Sequence, residues 1–411
     1  MSSESKASPV RLGLERVLCD PPALLTQARR IGVLVNQASV DGGFRYAHEL
    51  LAERFPGRIA ALFGPQHGLW SEQQDNMIET GHAIEPKLRV PIHSLYSERR
   101  KPSAAMLEGL DVVVVDLQDV GTRVYTYIWT LWLLLEAAAE SGVAVVVLDR
   151  PNPIGGLVVE GPVLSAGFES FVGLRAIPMR HGLTIGELAR HFVRTAGLDV
   201  HLDVVPMEGW SRDMLWSDLG RAWVPTSPNL PRFEGVVVYP GQVLLEGTNL
   251  SEGRGSTTPF ELCGAPWLEA EAWAETAHAL GADPRITLRP LRFEPTFHKF
   301  HGESCGALFL HPTDLAEARS YRTTLALLAA AHRLAPDAFG WRDPPYEYEA
   351  DKMPIDILTG DSRAREAIDG GASSADLDAV AAVDASAWWA ATETDRLYGR
   401  RELSGRGNAG P

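Results

Sequence analysis

Four short apolar runs punctuate the first part of the chain: 31–35 (IGVLV), 59–63 (IAALF), 112–115 (VVVV) and 143–148 (VAVVVL). Three are continuously apolar, as expected of strands buried on both faces. Between them lie stretches with helical periodicity, at 45–53 (RYAHELLAE), 103–108 and 130–140. The alternation predicts an α/β fold built on a parallel, doubly wound sheet. The most apolar long segment, 127–139 (YIWTLWLLLEAAA), is too short to cross a bilayer of ~30 Å at ~1.5 Å per residue. It reads as a buried helix.

The pattern changes near Leu183. Residues 184–196 form an amphipathic stretch with Thr184 at its start and Glu187 three positions on, a capping box. A second domain is expected from there, dividing the chain into 1–182 and 183–411. Its predicted parts are a loop at 226–231, a strand at 235–238, a glycine-rich segment at 246–257, and strands at 286–291 and 306–310. Helices are predicted at 270–280, 313–334 and 375–398, and the tail SGRGNAGP is expected to be disordered.

At 411 residues the chain is long enough for two or three domains. Its 53 acidic and 38 basic residues leave a net charge of −15, which argues against a phosphate-neutralising nucleic-acid surface. Cys19, Cys263 and Cys305 are too few and too irregularly spaced for a disulfide framework or a zinc ribbon, and read as reduced thiols. The first residues, MSSESKASPVRLGLERVL, lack the apolar core of a secretory signal, so a cytoplasmic protein with no membrane partner is expected.

In doubly wound sheets ligands bind beyond the carboxyl ends of the strands. There the chain is polar: Asn36-Gln37, then Gly64-Pro65-Gln66-His67-Gly68, then Asp116-Leu117-Gln118-Asp119, then Asp149-Arg150-Pro151-Asn152-Pro153. Turn preference alone would explain several of these residues. No dinucleotide or nucleoside triphosphate fingerprint is present, so no cofactor is expected.

The densest polar segment, DLQDVGTRVYTY from Asp116 to Tyr127, gathers two carboxylates, Gln118, Arg123, Tyr125 and a second phenol. An ion pair of Asp116 or Asp119 with Arg123 would be purely structural, and a role for either acid in the site is the alternative. In EGTNLSEGRGST, glycines allow close backbone approach while Asn249, Glu252 and Arg254 offer polar groups. Arg254 and Arg180 are the candidate anchors for a ligand carboxylate, which a guanidinium matches bidentately. His298 and His301 with Glu303 have a metal-like spacing, but the surrounding alternation is not helical, and no metal site is expected.

Several long strings together are similar to one family: PQHG at 65–68, LYSERRKPSAAML at 95–107, DLQDVGTRVYTYI at 116–128, LDRPNPIGGLVVEGPVL at 148–164, FVGLRAIPMRHGLTIGELA at 171–189, SPNLP at 227–231 and EGTNLSEGRGSTTPFELCGAPW at 246–267. On these strings the chain resembles the exo-β-N-acetylmuramidases of peptidoglycan recycling, over nearly its whole length. The resemblance implies a Rossmann-like parallel-sheet N-terminal domain, a smaller α/β domain, and an active site in the cleft between them. It implies release of N-acetylmuramic acid from the non-reducing end of wall fragments, with the lactyl carboxylate on Arg180 or Arg254 and the acetamido and hydroxyl groups on Asn152, Asn229 or Asn249.

The family carries Glu in a P-E-H-G string where this chain has Gln66, and an amide does not donate a proton as an acid does. EQQDNMIE at 72–79 also departs from the family pattern and offers Glu72, Asp75 and Glu79 as substitutes. A glycosidase needs two carboxyl groups. Asp116, Asp119 and Glu246 are candidates for one, Glu79 for the other, and His67 for orienting water or a carboxylate. Gln66, Gln118, Arg123, Tyr125 and His181 complete the expected binding residues. Two alternatives to this hydrolase are a non-catalytic muropeptide sensor and a hydrolase of another amino sugar.

Overall fold

The computed structural model describes residues 10–73 and 81–401. Strands β1 (Ile31–Val35), β2 (Ile59–Gly64), β3 (Ala83–Ile84), β4 (Pro91–Ser94), β5 (Val112–Asp116) and β6 (Ala144–Leu148) appear in chain order. A hairpin of β7 (Glu160–Val163) and β8 (Pro178–Arg180) follows, then β9 (Leu202–Val205). The central sheet has the order β3-β4-β2-β1-β5-β6-β9, parallel throughout except for β3. The chain builds outward from β1 to β4 and then returns to place β5 on the other side of β1. That reversal opens a crevice at the carboxyl ends of the strands. β1 and β5 are buried along their full length, as their unbroken apolar runs require.

The apolar segment forms the helix Tyr127–Ser141, buried beside β6 and the helix Ile185–Ala196. It stops at Gly142, which takes the left-handed conformation (φ 66°) that a side chain would resist. At the second helix Thr184 accepts from the Glu187 amide, and the Glu187 side chain accepts from the Thr184 amide, completing the expected capping box. Because β9 pairs with β6, the sheet runs past the division expected at 182/183.

The remainder forms a smaller α/β unit. Strands β10 (Leu262–Ala265), β11 (Ile286–Phe293) and β12 (Cys305–Pro312) make an antiparallel sheet in the order β10-β12-β11. The strand expected at 235–238 is instead part of the helix Phe233–Gln242. A short apolar run fits a buried helix as well as a buried strand, and here packing decides. Gly241 lets this helix meet the helix Ser320–Leu334, since a Cβ there would sit 2.0 Å from the Ser320 carbonyl oxygen.

The long helix expected at 313–334 starts only at Ser320, because Asp283 accepts the Arg319 amide (2.7 Å) and pins the turn before it. The single helix expected at 375–398 is two, Ser374–Ala381 and Ala385–Ala391, each restarted by its own side-chain cap, Ser373 and Asp384. The tail at 404–411 lies outside the described residues. Among the described residues no helix is long and apolar enough to cross a membrane.

Candidate active site

Segments distant in sequence converge on one pocket at the carboxyl ends of the strands. Gln66 and His67 come from the turn after β2, and Tyr125 and Thr126 from the approach to the helix Tyr127–Ser141. The smaller unit contributes Ser227, Asn229, Tyr239, Glu246, Arg254 and Phe260, and the loop after the helix Ser320–Leu334 adds Tyr346 and Glu347. Three of these residues, His67 (φ 69°), Phe260 (φ 64°) and Glu347 (φ 44°), hold left-handed backbone that non-glycine residues avoid. Such strain concentrates at functional sites.

The pocket side chains are tied into a chain of hydrogen bonds. The Thr126 hydroxyl donates to Gln66 Oε1 (2.5 Å), and Gln66 Nε2 reaches Glu347 Oε1 (3.5 Å). Glu347 Oε2 accepts from the Tyr96 hydroxyl (2.8 Å). Glu246 sits on the short helix Val243–Gly247 and accepts from Arg254 Nη2 (2.7 Å) and from the Tyr346 hydroxyl (2.5 Å). Behind it, Arg254 Nε lies 3.0 Å from Glu252, which also meets Lys299 (2.8 Å) and His298 (3.4 Å). His298 is thus the partner of a buried carboxylate. Tyr125 donates to Thr226 (2.7 Å).

The buried acids Glu347 and Glu252 are driven in opposite directions. Burial pushes the Glu347 carboxyl up to about 7, against the Tyr96 hydrogen bond and with help from the Glu246 charge. Burial acts to raise Glu252 too, but Lys299, Arg254 and His298 override it and hold that carboxyl at about 2. The Tyr346 and Tyr239 phenols are raised by burial and then by Glu246.

Residues 31–234 match the family described as exo-beta-N-acetylmuramidase NamZ, N-terminal, and residues 237–398 match its C-terminal counterpart. The chain belongs to the NamZ family. A peptidoglycan beta-N-acetylmuramidase NamZ of Bacillus subtilis (strain 168) is 42% identical over 335 residues, covering 82% of this chain and 80% of that protein. Two crystal structures of DUF1343 family proteins from Bacteroides fragilis NCTC 9343 are also similar. One has a TM-score of 0.84 at 31% identity and covers 95% of this chain and 99% of its own. The other has 0.73 at 28% and covers 96% and 100%.

Six of the residues singled out for a NamZ-like site line the pocket: Gln66, His67, Tyr125, Asn229, Glu246 and Arg254. Asp116 does not. It forms a bidentate ion pair with Arg150 (2.6 and 2.8 Å), so its structural partner is Arg150 and not Arg123. Asp119 accepts from the Gly121 amide (2.8 Å) and lies 3.2 Å from His181; it does not line the pocket, though its charge reaches the Tyr239 phenol that does. The guanidinium of Arg123 is wholly buried and holds the carbonyls of Pro162, Ile177 and Leu358, and burial brings it down to about 10. Arg180 is likewise bonded to carbonyls, of Ala318 and Ile154, and does not line the pocket.

Asn152 bonds the Leu183 carbonyl and the Ile154 amide, and Asn249 bonds the Ala338 carbonyl and the Gly340 amide, so both are loop staples. His181 accepts the Leu183 amide, and Gln118 donates to the carbonyls of Asp119 and Pro151. Glu79 and Asp75 lie outside the described residues. Glu347, Tyr346 and Tyr239 line the pocket outside the expected set. The one available signal was the PPYEYE string, which sets an acid between aromatic residues.

A larger cavity of about 400 Å³ lies at the ends of β1, β5 and β6, lined by Val40, Phe44, Gln118, Arg150, Trp216 and Arg221 among others. Its arginines are already matched, Arg150 by Asp116 and Arg221 by Glu15. Glu246 and Glu347 instead face the smaller pocket, and chemistry outweighs volume in choosing the site. That pocket has about 40 Å³ of free space, less than the roughly 300 Å³ or more of a typical small-molecule site.

Proposed function

We propose that the chain is an exo-acting glycoside hydrolase that releases N-acetylmuramic acid from the non-reducing end of peptidoglycan fragments. The observation that carries this reading is the pair of carboxyl groups, Glu246 and Glu347, lining one pocket in different environments. One is ion-paired to Arg254 and the other is held among neutral donors. Two carboxyls of unlike environment are what acid–base cleavage of a glycosidic bond requires. Of the arginines expected to bind the lactyl carboxylate, Arg254 alone lines this pocket, beside Asn229 and Ser227 for the substituents of the sugar. Membership of the NamZ family supports the same substrate, and the exo mode follows the family's description.

Incubation with N-acetylmuramyl-β-1,4-N-acetylglucosamine and with the reversed disaccharide, read by mass spectrometry, tests the reading. Free sugars from the first alone are expected. Binding of the disaccharide without release would favour a sensor, a reading that the amide at Gln66 keeps in play. Cleavage of the reversed disaccharide instead would indicate another amino sugar. Placement in the cytoplasm belongs to the same proposal, and fractionation of cells tests it.

A further inference from the structure

We infer that Glu347 is the proton donor to the departing sugar oxygen, with Tyr96 and Gln66 positioning its carboxyl group. The assignment rests on the glycosidase reading and goes beyond it, by deciding between the two pocket carboxyls.

The partners of each acid decide the matter. Glu246 accepts a guanidinium N–H on one oxygen and a phenol O–H on the other, an arrangement made for an anion. Glu347 is 3% exposed, and its hydrogen-bond partners are a phenol and an amide, both neutral. Among the described residues no cation lies within ion-pair distance of it. The cation whose charge acts on it is Arg100, which stacks on the Tyr348 ring (3.4 Å to the centroid). The acid is also placed by strained backbone, with positive φ at Glu347 (44°) and Tyr348 (67°), so the loop spends conformational energy to turn this side chain into the pocket.

The groups that set its titration are Tyr96, Gln66, Glu246 and Arg100. Their sum with burial leaves the carboxyl protonated up to neutral pH, where a general acid is most effective.

The step balances as follows. The Glu347 proton passes to the glycosidic oxygen as the C1–O bond breaks, and the bond's electron pair stays on that oxygen, which leaves as a hydroxyl of the second sugar. A water oxygen then bonds to C1. The proton it loses goes to a pocket carboxylate, either ionised Glu347 or Glu246.

The test compares two substrates that differ in their need for a proton. N-acetylmuramyl-β-1,4-N-acetylglucosamine has a poor leaving group, whereas p-nitrophenyl N-acetyl-β-muraminide leaves as a stable phenolate without one. Glu347→Gln should lower kcat on the disaccharide by roughly 10²- to 10⁴-fold while changing kcat on the aryl glycoside by less than about tenfold. Glu347→Asp should retain part of the disaccharide activity, since it keeps an acid there. Equal losses on both substrates in Glu347→Gln would show a structural role and overturn the assignment, as would undiminished disaccharide cleavage. Wild-type protein inactive on both substrates would overturn the glycosidase reading itself, and this assignment with it.

Discussion

The hydroxyl of Tyr346 donates to Glu246 at 2.5 Å, joining two residues 100 positions apart in the chain. This bond ties the loop carrying Glu347 to the segment carrying Arg254, so one phenol holds both pocket acids in register. Tyr346→Phe keeps the ring and removes the donor, leaving a buried carboxylate oxygen one bond short. A hydrogen bond to a charged group contributes about 1.5–3 kcal/mol, and about 1.4 kcal/mol is tenfold in rate, so kcat/KM on the disaccharide should fall roughly 10- to 100-fold. Steady-state kinetics of the two proteins check it. Unchanged kcat/KM would mean that the Tyr346 hydroxyl does not position Glu246 for the reaction.

Glu347 should leave a mark on stability as well as on rate. Its folded carboxyl titrates near 7, against an ordinary value of 4.5. The folded protein therefore retains this proton between pH 4.5 and 7, where the unfolded chain releases it. The contribution is full below 4.5 and is lost as pH rises through 7. Glu347→Gln abolishes that loss, so its stability relative to wild type should grow by up to roughly 3 kcal/mol between pH 4.5 and pH 8. Asp149 and Glu160, also raised to about 7 by burial, cancel because both proteins carry them. Urea unfolding at the two pH values measures the difference, and a pH-independent gap would refute the prediction.

What the sequence discloses and what it conceals divide along the range of the interactions. The doubly wound sheet is legible because each strand is a local apolar run, and the strand-end rule leads from it to Gln66, His67 and Tyr125. The glycine-rich segment marks Glu246 and Arg254 for a similar local reason. Glu347 escapes because it lies 281 residues from its partner Gln66, on a loop with no periodicity. Arg123 and Arg180 mislead in the opposite sense. A sequence shows a guanidinium but not the carbonyls that fold around it, and here those carbonyls come from as far away as Leu358 and Ala318. The strand expected at 235–238 fails because β-branched apolar residues suit any wholly buried segment once a neighbouring helix packs against it.

The amide at Gln66 offers a second handle on the acid. Gln66→Glu would put another carboxyl about 3.5 Å from Glu347, and two such groups resist ionising together. One of the pair should then titrate well above Glu347 in the wild type. The alkaline limb of the pH–rate profile on the disaccharide should move upward by about a unit or more. A profile that stays in place would show that the side chains at positions 66 and 347 do not share a proton.

Asp116 and Arg150 test the opposite claim, that a conspicuous acid at a strand end is structural. The pair is buried and bidentate, and Arg150 also bonds the Val40 carbonyl (3.0 Å). Arg150→Met would strand a buried carboxylate, at a cost of about 3–5 kcal/mol. Adding Asp116→Leu removes that charge and should recover most of the loss, since apolar replacement of a buried ion pair is often neutral or better. Neither residue lines the site pocket, so the double variant should keep kcat on the disaccharide within about twofold per folded molecule. Denaturant titration supplies the stabilities, and a collapse of kcat in a well-folded double variant would return Asp116 to the chemistry.

Behind the pocket, the Glu252 cluster predicts sensitivity to acid. Lys299, Arg254 and His298 hold this buried carboxyl at about 2, below its ordinary 4.5. Its contribution to stability is therefore complete above 4.5 and is lost as pH falls through 2. Lys299 is the strongest of the three and also donates to the carbonyls of Leu245 (3.0 Å) and Leu250 (2.8 Å), on either side of Glu246. Lys299→Met should cost about 3 kcal/mol or more at pH 7, because it leaves a buried charge short of a partner. It also raises the Glu252 carboxyl toward its ordinary range, so that the gap to wild type narrows as the pH is lowered from 7 to 4. Chemical denaturation across that range is the measurement. A gap that stayed constant across the range would mean that Lys299 stabilises the fold through its carbonyl bonds and not through Glu252.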